Sequence, residues 1–181
     1  RHAANSIGIV NVKESHFNLV RPGLALYGIY PSASIKAKLA LKPVLNWRAR
    51  LVLVKKINAG ESVGYGRTFI ADQPTVIGIL PVGYGHGYPF SLSGHGGVVL
   101  FGGKRFSIAG RVSMDYIAMN FGPDFSGAKV GEVVTLLGRD GAEEVTAETL
   151  AEKAVTIPYE IVTRLNPTLR NLARLTETHR E

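Results

Sequence analysis

Val44-Leu45-Asn46-Trp47-Arg48-Ala49-Arg50-Leu51-Val52-Leu53-Val54-Lys55-Lys56-Ile57 sets Leu45, Trp47, Leu51 and Leu53 on alternate positions. Apolar residues two apart fall on one face of a strand, so the run reads as β. Runs of the same character follow at Thr75 to Val82, Gly97 to Phe101, Lys104 to Ala109, Tyr116 to Asn120 and Glu132 to Leu137, separated by glycine turns. Gly102-Gly103 between two of them is a hairpin signal, because glycine reaches the positive φ that tight hairpin turns need. Short strands at this spacing predict a mainly β fold, a small β-barrel or sandwich over about residues 42 to 140.

Downstream the pattern turns helical. Thr146 can cap a run with Glu148 in its first turn and Leu150, Ala151, Ala154 and Val155 on one side. Pro158 and Asn166-Pro167 bracket a second short helix, Tyr159 to Leu165, and after Arg170 the polar, charged chain is expected to fray. Upstream, Pro31 to Lys42 reads as a linker broken by Ser32, Ser34 and Pro43. Before it the pattern is mixed α/β. Ser6 can cap a short turn, Phe17 to Val20 reads as strand, and Arg21-Pro22-Gly23-Leu24-Ala25-Leu26-Tyr27-Gly28 reads as a helix start with proline in its first turn. Gly23 and Leu24 would then present free N–H groups at a helix N-terminus, where an anion is favoured.

The 181 residues, 45% of them hydrophobic, suffice for a sizeable core. The net charge of +7 is spread, and its adjacent basic pairs, Lys55-Lys56 and Lys104-Arg105, lie inside strand-like runs. That predicts a solvated basic face and no nucleic-acid surface. The absence of cysteine excludes disulfides, zinc thiolates and thiol nucleophiles, and suits a cytoplasmic setting. No run reaches the ~18 apolar residues of a membrane span, so no membrane partner is expected. His2, His16, His95 and His179 lack ligand spacing, which predicts no metal. The chain opens on Arg1 inside a well-patterned segment, as expected of a fragment whose N-terminal part is missing.

Three windows carry candidate chemistry. In Val63-Gly64-Tyr65-Gly66-Arg67-Thr68 a tyrosine sits between two glycines, on a turn from which a phenol could move protons. A phenol's ordinary pKa near ~10 is too high for a base at neutral pH, so nearby cations are required, and Arg67 is the local candidate. Gly110-Arg111-Val112-Ser113-Met114-Asp115-Tyr116 gathers a cation, turn amides and a carboxylate, which could grip both charged ends of an amino acid. Val82-Gly83-Tyr84-Gly85-His86-Gly87-Tyr88-Pro89 places two aromatics and a histidine on a loop of the kind that lines an access route. Read singly, each is equally an ordinary turn: a packed aromatic, a solvated ion pair, a solvated histidine.

Together with His2-Ala3-Ala4-Asn5-Ser6, Arg21 to Gly28 and Ile157-Pro158-Tyr159, these windows resemble the C-terminal part of alanine racemases, pyridoxal-phosphate enzymes. The order and spacing of the matches carry the resemblance, which runs almost end to end. It implies that residues 1–40 are the last βα units of a truncated, TIM-type α/β barrel and 41–181 a C-terminal β-domain. It further implies a cytoplasmic isomerase interconverting L- and D-alanine, the supply of D-alanine for peptidoglycan. By the same resemblance Ser6, the amides of Gly23 and Leu24, and Tyr159 bind the phosphate of pyridoxal 5'-phosphate. Arg21 faces its ring nitrogen, supported by His2. Tyr65 transfers protons on the L-face, reaching into the partner subunit's site, so a homodimer is implied. Met114 holds the substrate carboxylate through its amide, and Arg111 and Tyr84 line the corridor, with Asp115 ordering the turn.

The Schiff-base lysine belongs to a motif upstream of Arg1, so the chain alone is predicted inactive, since racemisation needs groups on both faces of the α-carbon. One departure concerns the second glycine cluster, where the family carries an acidic residue and an arginine and this chain has His86 and Phe90. A racemase for serine or another small amino acid, or a non-catalytic binding and dimerisation module, are the alternatives. Residues 1 to 40 are expected to be the least stable part.

Overall fold

The computed structural model describes residues 1–94 and 96–165. His2–Asn5 (β1) pairs in parallel with Leu19–Arg21 (β2), and the helix Ser6–Asn11 (α1) lies between them in sequence. Parallel neighbours need such a crossover, so this segment has the α/β character read from sequence. The cap of α1 is Asn5, whose Oδ1 accepts from the amides of Ile7 and Gly8 at 3.1 and 3.0 Å. Ser6, expected to cap, instead reaches across to the segment after β2. The expected helix from Arg21 is a single 3-10 turn, Leu24–Tyr27. It stops at Gly28, where φ is +73° and a Cβ would lie 2.0 Å from the Lys42 carbonyl oxygen. The supposed linker holds a helical turn, Ala33–Lys36 (α2), with Ile35 fully buried.

The alternating run forms two strands, Trp47–Arg50 (β3) and Leu53–Ile57 (β4). Then come Ser62–Val63 (β5), Phe69–Ile70 (β6), Thr75–Leu80 (β7), Val98–Phe101 (β8), Lys104–Ile108 (β9), Ile117–Gly122 (β10), Val133–Asp140 (β11) and Glu143–Val145 (β12). Hydrogen bonding runs β12-β11-β8-β9-β10-β7-β4, and β3 pairs with β11. Because β3 and β4 are one bent strand, the antiparallel sheet curls into a barrel: β3 meets β11 (Val133↔Arg50) and β4 meets β7 (Leu53↔Ile79). At the bend Leu51 N–H donates to Glu132 O and Val52 N–H to Ile79 O, both at 2.9 Å, so each residue serves a different neighbour. This change of partner breaks the expected alternation. Leu51 is 1% exposed, but Leu53, expected on the same face, is 45% exposed.

The interior is filled by residues such as Leu80, Leu100, Ile117, Met119, Val134 and Leu136. Gly78 leaves room for them, since a Cβ there would meet Leu51 and Phe121 at 2.7 Å. On the outside of the β7–β10 wall, Ile57, Ala71, Ile77, Ala109 and Ala118 form a second apolar patch, on which Val63 and Phe69 of the β5–β6 hairpin pack. Apolar burial of this kind holds the hairpin, and with it the turn between its strands, against the barrel rim.

Thr146 caps Ala147–Lys153 (α3) as expected, its Oγ1 accepting from Thr149 N–H at 3.1 Å. Ala154 is buried, but Val155, placed on the same side by sequence, is exposed because the helix has ended and its φ is +56°. The second helix begins one residue early, at Pro158, and runs Pro158–Thr163 (α4). Asn166-Pro167, the tail after Arg170, His95 and His179 lie outside the described residues. No helix among the described residues is long and apolar enough to cross a membrane.

Candidate functional site

The structure gathers most of the sequence-predicted residues into two groups. The first lies at the β1–β2 end. Ser6, 3% exposed, accepts on its Oγ from the amides of Gly23 (2.9 Å) and Ala25 (3.4 Å). Gly23 N–H, expected to be free, is therefore used. A hydroxyl has two acceptor sites and one donor, so with both lone pairs taken the Ser6 proton is the part left to give. The outer side of Gly23 is open, since a Cβ there would meet only Ser6 Oγ, at 4.0 Å. Arg21 donates from its Nη2 to Ala3 O at 3.1 Å, which ties the guanidinium to β1. His2 lies opposite Leu19 in the same parallel ladder, and Leu24, buried, opens the 3-10 turn.

The second group occupies one rim of the barrel, where three loops converge. The turn between β5 and β6 carries Tyr65, 74% exposed, between Gly64 (φ +78°) and Gly66 (φ +72°). Both angles are in the left-handed region that glycine tolerates. The turn Gly110 to Tyr116 lies directly beneath. A Cβ on Gly110 would sit 2.5 Å from Val63 O, and one on Gly66 would sit 3.6 Å from Arg111 Cζ. The cation laid against the tyrosine's turn is thus Arg111, from a distant turn; Arg67, the candidate named from sequence, ends the same 3-10 turn as Tyr65, with φ +50°.

The third loop is Gly83 to Tyr88. Its amides at Tyr84 and Gly85 donate to Ser113 O (3.0 Å) and Met114 O (2.9 Å). The Met114 turn is fixed internally as well, with Ser113 N–H on Tyr116 O and Tyr116 N–H on Ser113 Oγ, at 3.0 and 3.1 Å. Ser93 Oγ accepts from Val112 N–H at 2.9 Å, a support that no local signal in the sequence announced. The Tyr84 ring meets Phe90 edge-on at 5.9 Å. Tyr84, Gly87, Tyr88, Phe90 and Arg164 line an open hollow of about 580 Å³. Tyr159 is exposed on the first turn of α4, just after Pro158. Among the described residues no group of three or more metal-ligating side chains comes together.

Chemically, the first group offers hydrogen-bond donors and a permanent cation to an anion. The second offers an exposed phenol with a guanidinium at its base, beside a turn whose amides are held in place.

The profile of the alanine racemase C-terminal domain matches residues 44–173, and that of the N-terminal domain matches residues 1–31. The alanine racemase of Carboxydothermus hydrogenoformans is 46% identical over 167 residues, covering 92% of this chain and 45% of the relative. That of Halothermothrix orenii is 41% identical, over 90% of this chain and 42% of the relative. Among solved structures, the alanine racemase from D-cycloserine producing Streptomyces lavendulae superposes with a TM-score of 0.85 at 42% identity, over 92% of this chain and 44% of that one. The Bacillus anthracis alanine racemase with bound L-Ala-P gives 0.85 at 34% identity, over 91% and 42%. The chain thus spans less than half the length of these relatives.

Proposed function

The chain belongs to the alanine racemase family, and from that premise we propose that it is the C-terminal portion of a cytoplasmic, pyridoxal 5'-phosphate-dependent enzyme that interconverts L- and D-alanine. Residues 1–40 are read as the end of the cofactor-binding barrel and 41–181 as the β-domain. The product, D-alanine, would serve peptidoglycan synthesis.

The residues present fit the cofactor. The buried Ser6 hydroxyl with its proton to give, and the open side of Gly23, suit a phosphate; the Leu24 amide, Tyr159 and Arg21 complete the proposed set, with His2 supporting Arg21. When bound, the group supplies an electron sink for charge developing at the substrate α-carbon. Arg21 can only donate, so it leaves the ring nitrogen unprotonated and limits that sink. Tyr65 moves the proton on the L-face at its phenolic oxygen, and the Arg111 guanidinium lies beneath its turn. Met114 holds the substrate carboxylate through its amide, and Arg111 and Tyr84 line the approach. Tyr65 and the cofactor-binding set serve different subunits of a homodimer, each subunit lending Tyr65 to its partner.

The observation that carries this reading is the exposed phenol of Tyr65 on a glycine-flanked turn with the Arg111 guanidinium packed beneath it. It is tested with Tyr65→Phe in the intact enzyme, N-terminal domain included. Racemisation should fall by about 10²- to 10⁴-fold. Exchange of the α-hydrogen of L-alanine with deuterated solvent should be lost, while that of D-alanine persists. Unchanged exchange from L-alanine would overturn the assignment. Comparing turnover of L-alanine and L-serine by the same enzyme separates alanine from the other small amino acids.

A further inference from the structure

Gly83 is the hub of the loop that carries Tyr84. Its carbonyl accepts from the amides of His86 (3.0 Å) and Tyr88 (3.2 Å). Its own N–H donates to the Nδ1 of His86 at 3.1 Å. Residue 83 has no room for a side chain, since a Cβ on Gly83 would lie 2.1 Å from Ser113 O and 2.4 Å from Met114 O. The loop is therefore pressed backbone to backbone on the Met114 turn, with Tyr84 and Gly85 amides bonded to Ser113 and Met114 carbonyls.

A backbone N–H can only donate, so Nδ1 must be the acceptor and the ring proton must sit on Nε2. We propose that His86, as this neutral tautomer, is the positioning residue that sets the Tyr84 loop against the Met114 turn. Protonating the ring turns Nδ1 into a donor facing a donor. The bond to Gly83 is then lost, and the loop loosens on the acid side. The groups that face the loop are Asp115 from the Met114 turn, whose Oδ1 would lie 3.8 Å from a Cβ on Gly85, and Arg164 from the end of α4. The Arg164 carbonyl abuts Gly87, and its guanidinium is paired with Glu160 at 2.6 Å. On the loop itself stand the phenols of Tyr84 and Tyr88.

The clasp is independent of the functional reading; only its effect on substrate passage rests on it. The test uses protein carrying labelled imidazole and glycine amide nitrogen, compared with His86→Asn, whose amide oxygen accepts at any pH, and His86→Ala. At about pH 8 the imidazole signals should report a bare Nδ1. As the pH is lowered until the labelled imidazole signals report a doubly protonated ring, protection of the Gly83 amide from exchange should fall roughly 2- to 10-fold, the worth of one backbone hydrogen bond. His86→Asn should stay protected throughout, and His86→Ala should show the reduced, acid-side protection throughout. A proton on Nδ1 at about pH 8, flat Gly83 protection in the native protein, or His86→Asn behaving as His86→Ala would overturn the proposal. In the intact enzyme the KM for the amino acid should follow the Gly83 curve with kcat little changed. Protection that moves while KM stays level would support the clasp and count against the loop as a substrate route.

Discussion

Tyr88 carries its hydroxyl into the barrel core, where it finds no hydrogen-bond partner among the described residues. Trp47 lies 6.0 Å away, ring to ring, and burial pushes the phenol pKa well up. An orphaned polar atom costs about 1–3 kcal/mol, so Tyr88→Phe should leave stability unchanged or raise it by up to that amount, read as a higher denaturant midpoint at constant slope. The pH dependence follows from the same burial. The folded chain keeps the Tyr88 proton, whereas the unfolded chain releases it above ~10. Stability is therefore intact below that pH and falls as pH rises above it, and Tyr88→Phe should fall less steeply. At this scale the sequence singled out residues but was poor about their contacts. Tyr65 and Tyr84 stood out because glycine and aromatic neighbours are local signals, whereas Met114 came only from the family resemblance. Arg111 under the Tyr65 turn and Ser93 on Val112 were not legible, because both contacts are made between segments far apart in the chain.

Among the elements, the loops at the barrel rim depend on backbone contact. Gly83→Ala forces a methyl into the Ser113 and Met114 carbonyls; overpacking of this kind costs about 1–3 kcal/mol. The expected outcome is a lower melting temperature together with loss of amide protection at Tyr84 and Gly85, measured by hydrogen exchange. Helix α3 depends on its cap, so Thr146→Ala should cost about 0.5–2 kcal/mol, seen as a shift in chemical denaturation. The Thr146 cap and the Gly102-Gly103 hairpin, with φ of +58° and +73°, were legible because turn and cap chemistry is local. β12, the β5–β6 hairpin and the break at Leu51-Val52 were not. Their strands are short or defined by what they pair with, and a period-two pattern cannot show where a strand changes neighbours.

Across the whole molecule, the N-terminal segment is tied to the C-terminal helices by Tyr30 N–H, which donates to Glu148 Oε1 at 2.8 Å. Hydrogen bonds to charged groups contribute about 1.5–3 kcal/mol. Glu148→Ala should accordingly speed amide exchange from Leu24 to Tyr30 more than within the barrel strands. The barrel itself closes in an order opposed to synthesis. Its seam joins Trp47–Arg50 to Val133–Asp140, so the first strand made waits for one of the last. Roughly eighty residues separate the two, about 4–16 s of translation at ~5–20 residues per second. During that interval the nascent sheet has two open edges, and a ribosome that stops before Val133 leaves them open for good. Exposed edges recruit other chains, and charged side chains, lysine above all, discourage it. Lys55-Lys56, exposed on β4 at one of those edges, place part of the chain's positive charge where unfinished copies would otherwise pair.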